Sequence, residues 1–260
     1  MRSPLVGRDA ELERLRSIYQ GVRAGDRAGA VIAGEAGIGK SRLLEEFTQL
    51  ATDAGAVVSS ATCFEFGGAP FAPLVETFDA LGLSVLRDFE AGDRLTTAQA
   101  QAAKHRVFSE GLRALCERAS AEPIVLVLDD LQWADFATLE FLAFFARSKT
   151  RAPLLALAAV RSDDVEHDHA RADAIHKLQK DGFAAFALQP IPDADMRRLI
   201  ANIWPGETPP DTAKIDRICA LAEGKPYFAE ELVDSAARGG KAAPSPSIRA
   251  GVLSRFAQLS

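Results

Sequence analysis

Residues 34–41 read GEAGIGKS. Gly34, Gly39, Lys40 and Ser41 satisfy the spacing G-x-x-x-x-G-K-[ST], with the apolar run AVIA (30–33) before it and the helical pattern RLLEEFTQLA (42–51) after it. The chemistry this spacing suits is the holding of a polyphosphate. Small residues let the backbone N–H groups of Gly34, Glu35, Ala36, Gly37, Ile38, Gly39 and on through Arg42 curl around a β-phosphate at the positive end of a helix. Lys40 then bridges the β- and γ-phosphates and the Ser41 hydroxyl takes Mg²⁺. At average composition the pattern arises by chance in on the order of one per cent of chains this long, so an innocent glycine turn explains it poorly. A dinucleotide fingerprint fits less well, because Arg42 stands where its third glycine would fall.

A phosphate loop needs an acid at the end of another strand, and IVLVLDDLQWAD (124–135) offers two in succession. Asp129 is the expected Mg²⁺ partner through water, and Asp130 would face the γ-phosphate and orient the attacking water. Tandem carboxylates also cap helices, a role that Asp135 fits better than Asp130. The run LLALAAVRSDD ends in Arg161, whose guanidinium either reports the presence of the γ-phosphate or forms a surface ion pair with Asp163 or Asp164. The cluster DDVEHDHARAD (163–173), with His167 and His169, reads as a solvated loop or, less simply, as a metal site. Arg147 and Arg151 are positioned either to act on a neighbouring subunit's nucleotide or merely to end a helix.

The elements that must position these residues follow from hydrophobic periodicity. Short apolar runs recur at 30–33, 56–62, 124–129, 154–160 and 183–188, separated by helical patterns such as KHRVFSEGLRALCERA (104–119) and FATLEFLAFFAR (136–147). Strands that alternate with helices and are apolar on both faces predict a parallel sheet covered on both sides. Residues 9–23 predict an amphipathic helix before the first strand. After residue 190 three helical patterns follow one another (193–204, 211–223 and 226–238), then a Gly/Pro/Ser-rich stretch at 239–247. The expected division is therefore a core at 1–190, a helical subdomain at 191–238, a linker at 239–247, and at 248–260 a helix that begins a further domain. Residues 63–100 carry no assigned element.

Composition narrows the function classes. A formal charge of −6 gives no global attraction to a polyanion, so direct nucleic-acid binding is not expected. Cys63, Cys116 and Cys219 fit neither a disulfide framework nor a zinc spacing, and the N-terminus lacks the apolar core of a signal peptide. A cytoplasmic protein with no membrane contact is the expectation.

Taken together, VGRDAEL, GEAGIGKS, LDDLQWAD, AVRSDD and EGKPYFAEEL resemble the regulatory ATPases called STAND, relatives of the AAA+ enzymes. More narrowly they resemble the ATPase module of large LuxR-type transcriptional regulators and of bacterial multidomain adenylyl cyclases. The resemblance implies an α/β fold, the three-layer sandwich of P-loop NTPases. Its parallel five-stranded sheet would have the order 5-1-4-3-2, with a C-terminal helical subdomain. It also implies that Val6, Gly7 and Arg8 lie near the adenine of ATP or ADP and that Pro226, in the G-x-P turn Gly224–Pro226, caps the base. Lys225 stands where family members often have asparagine. The implied activity is a slow ATPase acting as a switch, since Asp130 replaces the longer glutamate of many related enzymes. Downstream regulatory or DNA-binding domains and nucleotide-dependent self-association are the implied partners. A small-molecule phosphotransferase and a ring-forming or DNA-loading AAA+ machine are the competing readings.

Overall fold

The structure, a computed structural model, describes residues 4–65, 69–86, 97–165, 168–205 and 210–237. Five parallel strands among them, β1 (Arg27–Gly34), β2 (Val57–Thr62), β3 (Ile124–Asp129), β4 (Leu154–Arg161) and β5 (Ala184–Ala187), form one sheet in the order β2-β3-β4-β1-β5. This is the expected order read from the opposite edge, with β4 inserted between β1 and β3. β3 and β4 are buried along almost their whole length because they lie inside the sheet and helices flank it.

The helices are α1 (Asp9–Arg23), α2 (Lys40–Asp53), α3 (Ala72–Ala80), α4 (Thr97–Ala119), α5 (Phe136–Arg147), α6 (Ser162–Val165), α7 (His169–Lys180), α8 (Asp193–Ile203), α9 (Thr212–Ala222) and α10 (Pro226–Ala237). A single 3₁₀ turn, Leu131–Trp133, follows β3. The described residues fall into two compact units, one drawn from 1–9, 36–43 and 188–260, the other from 10–35 and 44–187.

The larger unit is built on the sheet. Its core carries an edge-to-face series in which Phe108 meets Phe71 at 5.8 Å and Phe141 at 5.6 Å, and Phe141 meets Phe78 at 5.9 Å. Such pairs add about 0.5–1.5 kcal/mol each beyond area burial. α1 buries Leu12, Leu15, Tyr19 and Val22, and Tyr19 sets its ring edge-on to Phe47 of α2. Gly29 of β1 is required by close approach, since a Cβ there would lie 2.6 Å from the Phe183 ring.

The smaller unit has its own apolar core, in which Val6 and Ile191 join Met196, Leu199 and Ile200 of α8, Ile218 and Ala222 of α9, and Ala229 and Val233 of α10. α9 is capped by Asp211, whose carboxylate accepts the Lys214 N–H at 2.7 Å.

Several elements depart from the sequence reading. α4 begins at Thr97, well before Lys104, and α3 occupies part of the unassigned stretch. The segment 163–173 is not simply a solvated loop: α6 and α7 cover most of it, and Asp168 caps α7 by accepting the Arg171 N–H at 3.1 Å. His167 lies outside the described residues, and among those described no cluster of His, Cys, Asp and Glu could hold a metal ion. The expected linker at 239–247 and helix at 248–260 also lie outside them. No described helix is long and apolar enough to cross a membrane.

Candidate functional site

In the larger unit the sequence-predicted residues gather at the C-terminal edge of the sheet, where open parallel sheets place their ligands. Strand register pairs Gly34, the first glycine of the loop motif, with Arg161, and Thr62 with Asp129. Asp129 ends β3, and its Oδ1 accepts the N–H of Asp130 at 2.8 Å. Asp130 is left-handed, with φ 53°, a conformation that aspartate tolerates better than most side chains. Its carboxylate does not cap the 3₁₀ turn that follows. It turns instead to Arg161, which donates from Nε to Oδ1 at 3.0 Å and from Nη2 to Oδ2 at 3.2 Å.

Gln132 completes this cluster, and sequence reasoning passed over it. Only 2% exposed, it donates from Nε2 to Asp130 Oδ1 at 2.8 Å and accepts the Arg161 backbone N–H on Oε1 at 3.0 Å. Of the surface partners expected for Arg161, Asp164 stands 3.9 Å from Nη1, a looser contact than the fork onto Asp130. Asp135 is the N-cap of α5, as expected, accepting from the Thr138 N–H at 2.9 Å; it also accepts the N–H of Phe71 at 3.2 Å. Cys63 donates its N–H to the Asp129 carbonyl at 2.9 Å. Burial first, then the carboxylates of Asp135, Asp130, Asp129 and Glu76, push its thiol up to about 12, so it stays neutral. Arg147 and Arg151 are exposed and paired with Asp181 at 2.9 Å and Asp26 at 2.7 Å.

The smaller unit holds the rest of the phosphate loop. Gly37 and Gly39 adopt φ 75° and 101°, on either side of Ile38, and α2 starts at Lys40, which is 7% exposed. Leu43 closes the first helical turn onto the Gly39 carbonyl at 3.0 Å, with Ser41 and Arg42 inside that turn. The Gly37 carbonyl accepts the N–H of Tyr227 at 3.2 Å, and a Cβ on Gly37 would come within 3.2 Å of Tyr227 Cβ. A Cβ on Gly39 would lie 3.8 Å from Pro226 Cγ. The start of α10 therefore rests on the loop.

Arg8 fastens the same loop from another direction. Its Nη2, in a side chain only 4% exposed, donates to the carbonyls of Ile38 at 2.9 Å and Gln189 at 2.7 Å. Gly7, at φ 66°, leaves room for Asp195, and Val6 enters the core. Gly224, at φ 75°, accepts the Ile191 N–H at 2.9 Å; the following Lys225 is 8% exposed, its Nζ 5.8 Å from the centre of the Phe228 ring. Val6, Gly7, Arg8, Gly37, Ile38, Gly39 and Pro226 thus belong to one unit, while Gly34, Glu35, Asp129, Asp130 and Arg161 belong to the other.

Comparison with known proteins gives this arrangement a family. A model of the AAA ATPase domain matches residues 4–157. An uncharacterized protein of Rhizobium meliloti (strain 1021) is 25% identical over 270 aligned positions, which cover 89% of this chain; the chain spans about a quarter of that protein's length. Among solved structures, the Aeropyrum pernix ORC1 protein in complex with DNA aligns with a TM-score of 0.59 and 18% identity, covering 96% of this chain and 66% of that one. The Aeropyrum pernix ORC2 protein in its ADPNP–ADP complexes gives 0.54 and 17%, covering 98% and 70%. The Walker-type ATPase paby2304 of Pyrococcus abyssi gives 0.54 and 13%, covering 98% and 77%. At these identities the likeness to the solved structures is one of fold. The match to residues 4–157, more than half of the chain, makes it a member of the AAA ATPase domain family.

Proposed function

We propose that this chain binds ATP with Mg²⁺, hydrolyses it slowly, and serves as the nucleotide-dependent switch of a longer STAND-type regulator, of which the LuxR-type transcriptional regulators are the model. The observation that carries the reading is the GEAGIGKS loop itself, with Gly37 and Gly39 left-handed and the buried Lys40 opening α2. The residues fit the ligand. Left-handed glycines on either side of one residue shape a concave run of amides, and the Ser41 hydroxyl and the Asp129 carboxylate are each an oxygen donor of the kind a small hard cation takes. Ser41 and Asp129, the latter through water, would hold Mg²⁺, which when bound neutralises charge on the β- and γ-phosphate oxygens.

In this proposal each side chain has a role in the displacement. Lys40 bridges the β- and γ-phosphates, and Asp130 accepts a hydrogen bond from the water whose oxygen attacks the γ-phosphorus as the bond to the β-phosphate oxygen breaks. Arg161 pairs with the γ-phosphoryl oxygens, which ATP has and ADP lacks. Val6, Gly7, Arg8 and Pro226 frame the base; the resemblance stated above supports this role. A switch requires that ATP and ADP stabilise different states of the protein, and a guanidinium that meets only the γ-phosphate supplies such a difference.

Calorimetry with MgATP and MgADP tests the proposal. Binding of both, with loss of both in Lys40→Ala, is expected; no heat from either nucleotide on folded protein would sink it. A second reading, a DNA-loading AAA+ machine, is favoured by the fold likeness to the two Aeropyrum pernix proteins. It calls for an arginine acting on a neighbouring subunit. Undiminished turnover in an Arg147→Ala, Arg151→Ala double variant would count against it.

A further inference from the structure

We propose that Asp130 and Arg161 form a resting latch. The carboxylate that polarises water and the guanidinium that reads the γ-phosphate occupy each other until a γ-phosphoryl group arrives. Gln132 is the positioning residue that keeps Asp130 in place once Arg161 lets go. The inference rests on the ATPase reading above and adds a control element to it.

The geometry is that of two groups held back from their work. Arg161 directs Nε and Nη2 at both oxygens of Asp130, leaving Nη1 at 3.9 Å from Asp164. A fork of this kind recognises carboxylate and phosphate alike, and a terminal phosphoryl group offers the same oxygen spacing with more charge. The side chains of Arg161 and Asp130 are 41% and 23% exposed, so their attraction is screened and a stronger anion can displace it.

The backbone at both ends stays fixed during that exchange. Asp130 sits in its left-handed turn, and the N–H of Arg161 is held by Gln132 Oε1. Only the arginine side chain has to swing. When it does, Asp130 Oδ2 loses the Nη2 contact, whereas Oδ1 keeps the hydrogen bond from Gln132 Nε2. The carboxylate is then oriented through one oxygen and open at the other, as water polarisation requires. ADP carries nothing that competes for Arg161, so it leaves the latch shut.

Breaking the latch should therefore tighten ATP and not ADP. A partly exposed ion pair, screened by solvent, accounts for roughly a fivefold change in affinity. Removing a negative charge near a polyanion also tightens binding by itself, and that effect does not require Arg161. The two are separated by a double-mutant cycle on the 260-residue chain, titrated with ADP and with the β,γ-imido analogue of ATP in Mg²⁺. Asp130→Asn is expected to gain about fivefold more affinity for the analogue than for ADP, and this excess should vanish in an Arg161→Met background, leaving only the charge effect common to both ligands. An equal gain in both backgrounds would overturn the latch, as would an Arg161→Met variant that binds the analogue as well as the parent. If the parent binds neither ligand, the nucleotide reading itself fails; if it binds both and the cycle shows no coupling, only the latch fails. Should Asp130→Asn not fold, Asp130→Ser takes its place in the cycle. For Gln132, Gln132→Leu should lower kcat roughly tenfold with KM nearly unchanged, while parallel changes in kcat and KM would reject the positioning role.

Discussion

Substituting Gly224 by alanine tests how the turn before α10 is built. Gly224 has φ 75°, and a Cβ there would stand 2.5 Å from Pro190 Cβ, 3.0 Å from the Ile191 carbonyl oxygen and 3.1 Å from Pro190 Cα. None of these is the loose end of a flexible side chain. A left-handed conformation costs a non-glycine residue about 1–2 kcal/mol, and overpacking adds about 1–3 kcal/mol. The lower chain entropy of unfolded alanine returns about 0.4–1 kcal/mol. The net expectation is a loss of about 3 kcal/mol, close to a hundredfold in the local opening equilibrium. Gly82 supplies the control, because its φ of 76° is nearly the same but nothing lies within 4 Å of its would-be Cβ. Gly82→Ala should therefore cost only about 1 kcal/mol. Native-state hydrogen exchange reads both, at the Ile191 amide and in α10 for the first variant and in α3 for the second. The start of α10 touches Gly37 through Tyr227, so Gly224→Ala should also weaken nucleotide binding. Equal losses in the two variants, or a cost below about 1 kcal/mol at Gly224, would refute the clash and the reasoning built on it.

Two further outcomes are expected. Arg8→Met removes donors from the Ile38 and Gln189 carbonyls and should destabilise the smaller unit by about 3 kcal/mol, measured by hydrogen exchange in residues 188–203; a loss under about 1 kcal/mol would mean that Arg8 is no brace. Cys63 is predicted to resist thiol reagents at pH 8, since its folded thiol titrates only near 12. Because that folded value lies above the ordinary 9.0, the stabilising contribution is complete below pH 9 and declines as the pH rises from there toward 12. Cys63→Ala should flatten this part of a stability-versus-pH curve, and an unchanged slope would reject the linkage.

The strands and most helices were legible because their apolar periodicity is strong, but neighbour order within the sheet was not. Periodicity says that 154–160 is buried on both faces without saying that it inserts between β1 and β3; that came only with the family resemblance. α3 escaped because its first turn contains Pro73 and it follows Phe71, which has φ 67°, in a Gly- and Pro-rich stretch that mimics a loop. α7 escaped because only Ile175 and Leu178 are buried along it, too few to write a stripe among so many charges. At the candidate site the loop and the tandem aspartates could be read directly, since their chemistry demands particular residue types at fixed spacing. Gln132 could not: a buried amide that satisfies two partners leaves no periodic trace, and only the distances to Asp130 and Arg161 identify it.

The strand order also bears on how the chain acquires its shape. β1 finds both of its neighbours, β4 and β5, only in residues 154–187, so during synthesis it emerges with two bare hydrogen-bonding edges and nothing yet made to satisfy them. Sheet assembly must wait for distant partners, which slows it and exposes the apolar run to other nascent chains in the meantime. A fragment that stops short of residue 154 would contain the entire phosphate loop and yet lack both strands that pair with the strand feeding it.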